Sequence, residues 1–133
     1  MEMLLDQPMA KAKSFSDLIA WREAHAFVLL VYRTTKKFPK DEMFGLTSQM
    51  RRAAVSITSN IAEGFVRQSK ADKLHFYSMA LSSLSEVLSQ NFIAKDVEYF
   101  LKDDFTAVVD QGDRVGKFLN GLMRGIKTPA TSY

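Results

Sequence analysis

In this sequence the basic side chains are the residues whose types and spacing best suit a chemical role. The role that they suit is phosphate binding. Lys and Arg neutralise the phosphates of nucleic acids, and the chain has a formal net charge of +3. They gather in four stretches: Lys36/Lys37/Lys40, Arg51/Arg52, Arg67/Lys70/Lys73 and Arg114/Lys117/Arg124/Lys127. The third stretch surrounds a predicted helix junction, where backbone N–H groups suit an anion. We therefore expect sequence-independent, phosphate-directed contacts from five side chains: Arg51, Arg52, Arg67, Lys70 and Lys73.

Residues for catalysis or metal binding form no comparable pattern. The only histidines are His25 and His75, and there is no cysteine. A di-iron bundle needs Glu-x-x-His on two helices, whereas Glu23 stands two residues before His25 and only Asp72 stands three before His75. No Gly-rich phosphate loop, nucleophile elbow or zinc-protease motif is present in the sequence. We predict a protein that is not an enzyme and that has no metal and no cofactor.

Four helices are predicted to position these side chains. Proline occurs only at positions 8, 39 and 129, so the middle of the chain lacks helix breakers. Ser16 and Ser69 are good N-caps, and Phe38-Pro39 ends a helix. The predicted helices run from Ser16 to about Lys37, from 41–46 to about Arg67, from about Lys70 to Lys95, and from about Asp104 to Ile126. Short connections make successive helices antiparallel, so the predicted fold is all-α, an antiparallel up-down four-helix bundle.

Apolar residues at the helical period define one predicted core face for each helix. On the first helix they are Leu18, Trp21, His25, Val28, Leu29 and Tyr32. On the second they are Leu46, Met50, Ala53, Ile57, Ile61 and Phe65. On the third they are Leu74, Tyr77, Leu81, Leu84, Leu88 and Phe92. On the fourth they are Phe105, Val108, Val109, Val115, Leu119, Leu122 and Met123.

The two middle helices show further apolar positions beside these faces. A bundle needs one apolar stripe per helix, so we interpret the surplus as an interface with another copy of the chain. The predicted interface residues are Val55, Ala62, Val66, Phe76, Ala80, Ser83 and Val87, with Ala94 beside them. The alternative is that the buried arc is simply wide. A polar stripe on the second helix is either a solvated face or a border of that interface; it comprises Gln49, Arg52, Ser56, Asn60, Glu63 and Arg67.

A single bundle domain, 15–126, is expected between an N-terminal tail, 1–14, and a C-terminal tail, 127–133. No segment reaches the roughly 18 uninterrupted apolar residues of a membrane span. Residues 1–13 lack the basic and then apolar order of a signal peptide. The expected location is the cytoplasm, without membrane association.

Three stretches carry a resemblance to a known family. They are Phe15-x-x-Leu18-x-x-Trp21-x-x-Ala24, the run from Gly45 to Gly64 that contains Arg51-Arg52-Ala53-Ala54 and Asn60-Ile61-Ala62-Glu63-Gly64, and Phe76-x-x-x-Ala80-x-x-Ser83-Leu84-x-Glu86. Over about residues 15 to 123 the chain resembles the four-helix-bundle proteins encoded in intervening sequences of 23S rRNA genes. Asn60, Glu63 and Gly64 belong to the most specific block. The resemblance implies a bundle that associates into a ring, a pentamer being favoured. It also implies kinship with the accessory variability protein of diversity-generating retroelements, which is thought to engage nucleic acid and a reverse transcriptase.

Three functional hypotheses follow from the residues and the resemblance. The leading one is a homo-oligomeric module that binds nucleic acid or accompanies a ribonucleoprotein. The second is an adaptor that scaffolds a partner protein without contacting nucleic acid. The third and least favoured is a metal- or ligand-binding bundle enzyme.

Overall fold

Four helices account for most of the residues that the structure, a computed structural model, describes, namely 12–127. They are α1 (Ile19–Thr35), α2 (Leu46–Val66), α3 (Lys70–Asp96) and α4 (Lys102–Lys127), with short 3₁₀ turns at Phe15–Asp17 and Lys40–Glu42. Each helix packs against its neighbours in sequence, and α4 packs against α1. The bundle is therefore closed, and the predicted four-helix fold is confirmed. Most of both predicted tails lies outside the described residues.

The predicted capping signal is correct for α3 and wrong for α1. Ser69 caps α3 as predicted, its Oγ accepting the backbone N–H of Asp72 at 3.0 Å. Ser16 is not the N-cap of α1. The Asp17 carboxylate instead accepts the backbone N–H groups of Lys13 and Ser14, which holds a separate 3₁₀ turn, and α1 begins after Leu18.

The predicted core faces agree best with the observed buried residues on α2 and α4. Met50, Ile57 and Ile61 on α2 are fully buried, as are Val108, Val115 and Leu119 on α4. On these two helices the apolar stripe predicted from the helical period is the one that packs inward.

On α1 half of the predicted face is wrong, because the buried face is rotated relative to it; Leu18 and Val28 are buried as predicted. Leu29 is 53% exposed and Tyr32 39% exposed, and His25 also faces outward. The buried residues of α1 are Ala20, Ala24, Phe27, Val28, Leu30, Val31, Thr34 and Thr35. Both faces follow the 3.6-residue period, and the one with small alanines lets the neighbouring helices approach closely.

On α3 the buried arc is wider than predicted. Ala80, Val87 and Ala94 are completely buried, together with the predicted Tyr77, whereas the predicted core residue Phe92 is 53% exposed. The contact of α3 with α2 is the most extensive between any two helices of the described bundle, which accounts for the wider buried arc of α3. Among residues 12–127, no helix is long and apolar enough to cross a membrane.

Candidate nucleic-acid interface

The five predicted phosphate-binding residues lie at opposite ends of α2. Arg51 and Arg52 are in its second turn, whereas Arg67 follows its last residue, and Lys70 and Lys73 open α3. Arg67 is fifteen positions after Arg52, which corresponds to a rise of roughly 22 Å along the helix. The structure therefore brings these residues together as two groups and not as one continuous patch.

Arg51 is engaged within the subunit. Its Nε donates to Thr35 Oγ1 at 2.9 Å, and Nη2 reaches the Tyr32 carbonyl at 3.5 Å. Its guanidinium carbon lies 4.7 Å from the centre of the Tyr32 ring. The arginine therefore ties α2 to the last turn of α1, where a cation also favours the negative end of the helix dipole.

Lys73 and Arg67 are also engaged at the other end of α2. Lys73 Nζ donates to the carbonyls of Gly64 (3.2 Å) and Phe65 (2.8 Å), which lie in the last turn of that helix. Burial lowers the pKa of this lysine from its ordinary value. Arg67 pairs with Glu63 at 2.8 Å and covers the ring of Phe76 at 4.8 Å. Both cations therefore stabilise the α2–α3 junction.

Arg52 and Lys70 differ from the other three residues. Both are exposed, and neither has a hydrogen-bond or ion-pair partner anywhere in the described part of the chain. Their donors are available to a ligand without the disruption of an internal hydrogen bond. Sequence reasoning treated all five cations alike, because only the folded chain shows which carbonyls and rings each of them meets.

Arg52 borders an open groove of about 680 Å³ between α1 and α2. Its lining contains two arginines and no carboxylate; the residues are Tyr32, Met43, Phe44, Thr47, Ser48, Arg51, Arg52, Val55, Ser56 and Ser59. The acid nearest in sequence, Glu42, is already occupied. Its carboxylate accepts the backbone N–H of Leu46 at 3.0 Å and the hydroxyl of Tyr99, and both hydrogen bonds lower its pKa.

The predicted interface residues divide between surface and core. Val66 is 62% exposed and Val55 39% exposed. Ala62, Phe76 and Ser83 are not among the fully buried residues; the hydroxyl of Ser83 lies 2.9 Å from that of Ser56. For Ala80 and Val87 the prediction is wrong, because both are fully buried inside the subunit between its own helices.

Other apolar side chains are exposed that the sequence did not single out for an interface. On α3 and just after it these are Met79, Phe92, Ile93 and Val97, between 42% and 53% exposed. Because α3 carries apolar residues all around its circumference, periodicity alone does not say which of them face outward. Among the large apolar residues of 12–127, the most exposed is Phe44, at 96%, in the turn before α2.

The specific sequence block of α2 has an architectural role in the subunit. Asn60 Nδ2 donates to the Ser56 carbonyl at 2.9 Å and to its hydroxyl at 3.1 Å. Gly64 lies against Tyr77 of α3, so close that a Cβ at this position would be 2.6 Å from the ring. The block therefore sets the close approach of α2 and α3.

The histidines make aromatic contacts. His25 stacks on Trp21 with ring centres 4.9 Å apart, and His75 meets the Phe76 ring edge-on at 5.3 Å. Within residues 12–127, no three His, Asp or Glu side chains are grouped so that they could hold a metal ion.

These features define an all-α protein, a closed four-helix bundle with basic groups at two ends of one helix. The chain belongs to the family of 23S rRNA-intervening sequence proteins, whose pattern it matches over residues 16–121. No curated protein matches it. A similar solved structure is a protein of unknown function from the S23 ribosomal protein family of Bacteroides thetaiotaomicron VPI-5482. It aligns with a TM-score of 0.72 and 20% identity, over 80% of this chain and 96% of that one, which supports the fold.

Proposed function

We propose that this protein is a cytoplasmic, non-enzymatic and homo-oligomeric module that binds RNA or DNA through its phosphates. The observation that carries the proposal is the pair of exposed cations without internal partners in the described chain, Arg52 and Lys70. Arg51, Arg67 and Lys73 add positive charge beside them while they hold the helices together. Such binding is independent of base sequence and weakens steeply as salt concentration rises.

Self-association would combine the two basic groups of several subunits into one positive electrostatic field. Val66 on α2, with Met79, Ile93 and Val97 on and after α3, supplies exposed apolar surface for it. Each added copy contributes a further formal charge of +3. A closed ring, with a pentamer as the favoured size, follows from the family resemblance and remains part of this proposal.

The test combines solution mass with binding. The mass would be measured by light scattering with and without a 23S rRNA fragment, the RNA that the family description suggests first. Binding of labelled RNA and DNA would be followed by anisotropy across a salt series. We expect a mass above that of one subunit and a linear fall of log K with log salt. A single-subunit mass, or no binding to RNA or DNA at about 50 mM salt, would overturn the proposal.

Charge variants locate the residues that bind phosphate. Arg52→Gln and Lys70→Gln should each reduce the salt slope by about 1, because each removes one cation that neutralises a phosphate. Lys102→Gln is the matched control, because it removes the same charge from an exposed position at the start of α4 that lies outside the four basic stretches. An equal effect of all three substitutions would mean that overall charge, and not these two residues, governs binding.

A second candidate function is a protein adaptor, and the exposed apolar residues of α3 favour it. Capture of a defined partner that persists after nuclease treatment, by a protein that binds no RNA or DNA, would replace the leading proposal with this one.

A further inference from the structure

The groove between α1 and α2 contains an exposed aromatic side chain that has no role in phosphate binding. Phe44 belongs to its lining, with 96% of the residue's surface exposed. An aromatic ring left in water is energetically unfavourable, and exposed apolar surface of this kind often marks an interaction site.

The turn that carries Phe44 is held by hydrogen bonds on both sides. Met43 N–H donates to the Lys40 carbonyl at 3.1 Å, and Gly45 N–H donates to the Glu42 carbonyl at 2.9 Å. The Glu42 side chain in turn caps the start of α2 through Leu46. The ring is therefore presented on an ordered backbone, which lowers the entropy cost of binding.

The rest of the groove supplies groups that suit a nucleotide chain. The guanidinium of Arg51 lies over the Tyr32 ring and places a positive charge in the wall. Arg52 has no partner within the described chain, and Ser48 and Ser59 line the same groove. With no carboxylate in the lining, the charge of the groove is complementary to a polyanion.

We propose that this groove binds single-stranded nucleic acid, a base stacking on Phe44 while a neighbouring phosphate is bound by Arg52. Proteins that bind single strands combine aromatic platforms with a positively charged groove in this way. In a duplex the base faces are already stacked and cannot reach Phe44, so the groove selects single strands. The inference rests on the proposed function and narrows its ligand class.

The experiment measures the binding of two probes to the whole protein. One is a labelled oligoadenylate of about 12 nucleotides, a length that single-strand-binding folds cover. The other is an RNA duplex of equal length. We expect Phe44→Ala to weaken single-strand binding roughly 5- to 150-fold, the range that corresponds to the removal of one base stack. Duplex affinity should stay within about twofold. Phe44→Trp should retain single-strand binding. Leu101→Ala, at another exposed apolar position (74%), should change neither affinity.

The outcomes separate this inference from the proposed function. If Phe44→Ala leaves single-strand affinity unchanged, or lowers both affinities equally, the inference fails while general nucleic-acid binding stands. If Phe44→Ala instead lowers the mass of the assembly, the groove is an interface between copies and the inference is wrong. If the wild-type protein binds neither probe at low salt, both proposals fail.

Discussion

Gly64→Ala tests whether α2 and α3 need a residue without a side chain at their closest approach. A Cβ at this position would lie 2.6 Å and 2.9 Å from two ring carbons of Tyr77 and 3.2 Å from Cβ of Phe76. Carbon atoms pack optimally about 3.5–4.0 Å apart. Tyr77 is only 1% exposed, so its ring has no open space into which it can retreat. The clash must therefore separate the helices or strain the ring.

Two opposing effects set the magnitude of this change. Overpacking a buried site costs about 1–3 kcal/mol, and contact with a rigid, enclosed ring points to the upper end. Alanine gains about 1 kcal/mol over glycine in helix propensity. The free energy of unfolding should therefore fall by about 2 kcal/mol. For a chain of this length, that lowers the Tm by about 8 °C.

The assay is urea unfolding followed by circular dichroism, at one fixed protein concentration because assembly couples to stability. Gly125→Ala is the matched control, since a Cβ there meets nothing within 4 Å, and it should be neutral or stabilising by up to about 1 kcal/mol. Combining Gly64→Ala with Tyr77→Leu should cost less than the sum of the single changes, by about 1 kcal/mol. A Gly64→Ala protein as stable as the wild type would refute the packing argument.

Three further changes test contacts between and within helices. Lys73→Met should lower the free energy of unfolding by about 1–2 kcal/mol in urea melts, because two carbonyls of α2 lose their donor; Lys70→Met should leave it unchanged. Ser69→Ala removes the N-cap of α3 and should cost about 1 kcal/mol in the same assay. The Arg114 guanidinium lowers the pKa of Glu23 below 4.5, so this pair contributes stability above that pH and loses it as pH falls through the lower folded value. The urea midpoints of wild type and Glu23→Gln should accordingly differ at pH 7 and converge in acid; a constant difference would contradict the linkage.

Features encoded by a few adjacent residues were predictable from the sequence. Phe38-Pro39 separates the first two helices, and Ser69 caps α3, because proline geometry and capping involve only neighbours along the chain. The stripe of α2 that contains Met50 and Ile57 was predictable too, because its apolar residues recur at the helical period.

The rotation of α1 and the buried arc of α3 depended on the other helices. On α1 two apolar stripes follow the helical period, and α3 carries apolar residues all around its circumference, so the period alone does not choose the buried face. The neighbours decide between them: Ala24 and Ala80 are buried where helices approach closely, while Leu29 and Ile93 remain outside.

The roles of the basic residues also depended on tertiary structure. The sequence by itself determined a basic, four-helix chain with arginines and lysines near both ends of the second helix. Only the folded bundle determined that Arg51 and Lys73 bind carbonyls at helix ends whereas Arg52 and Lys70 have no partner within the described chain. Charge and helical period are local properties of a sequence. Access to a ligand is not local, because it depends on which side chains and carbonyls from distant segments fill the space around each cation.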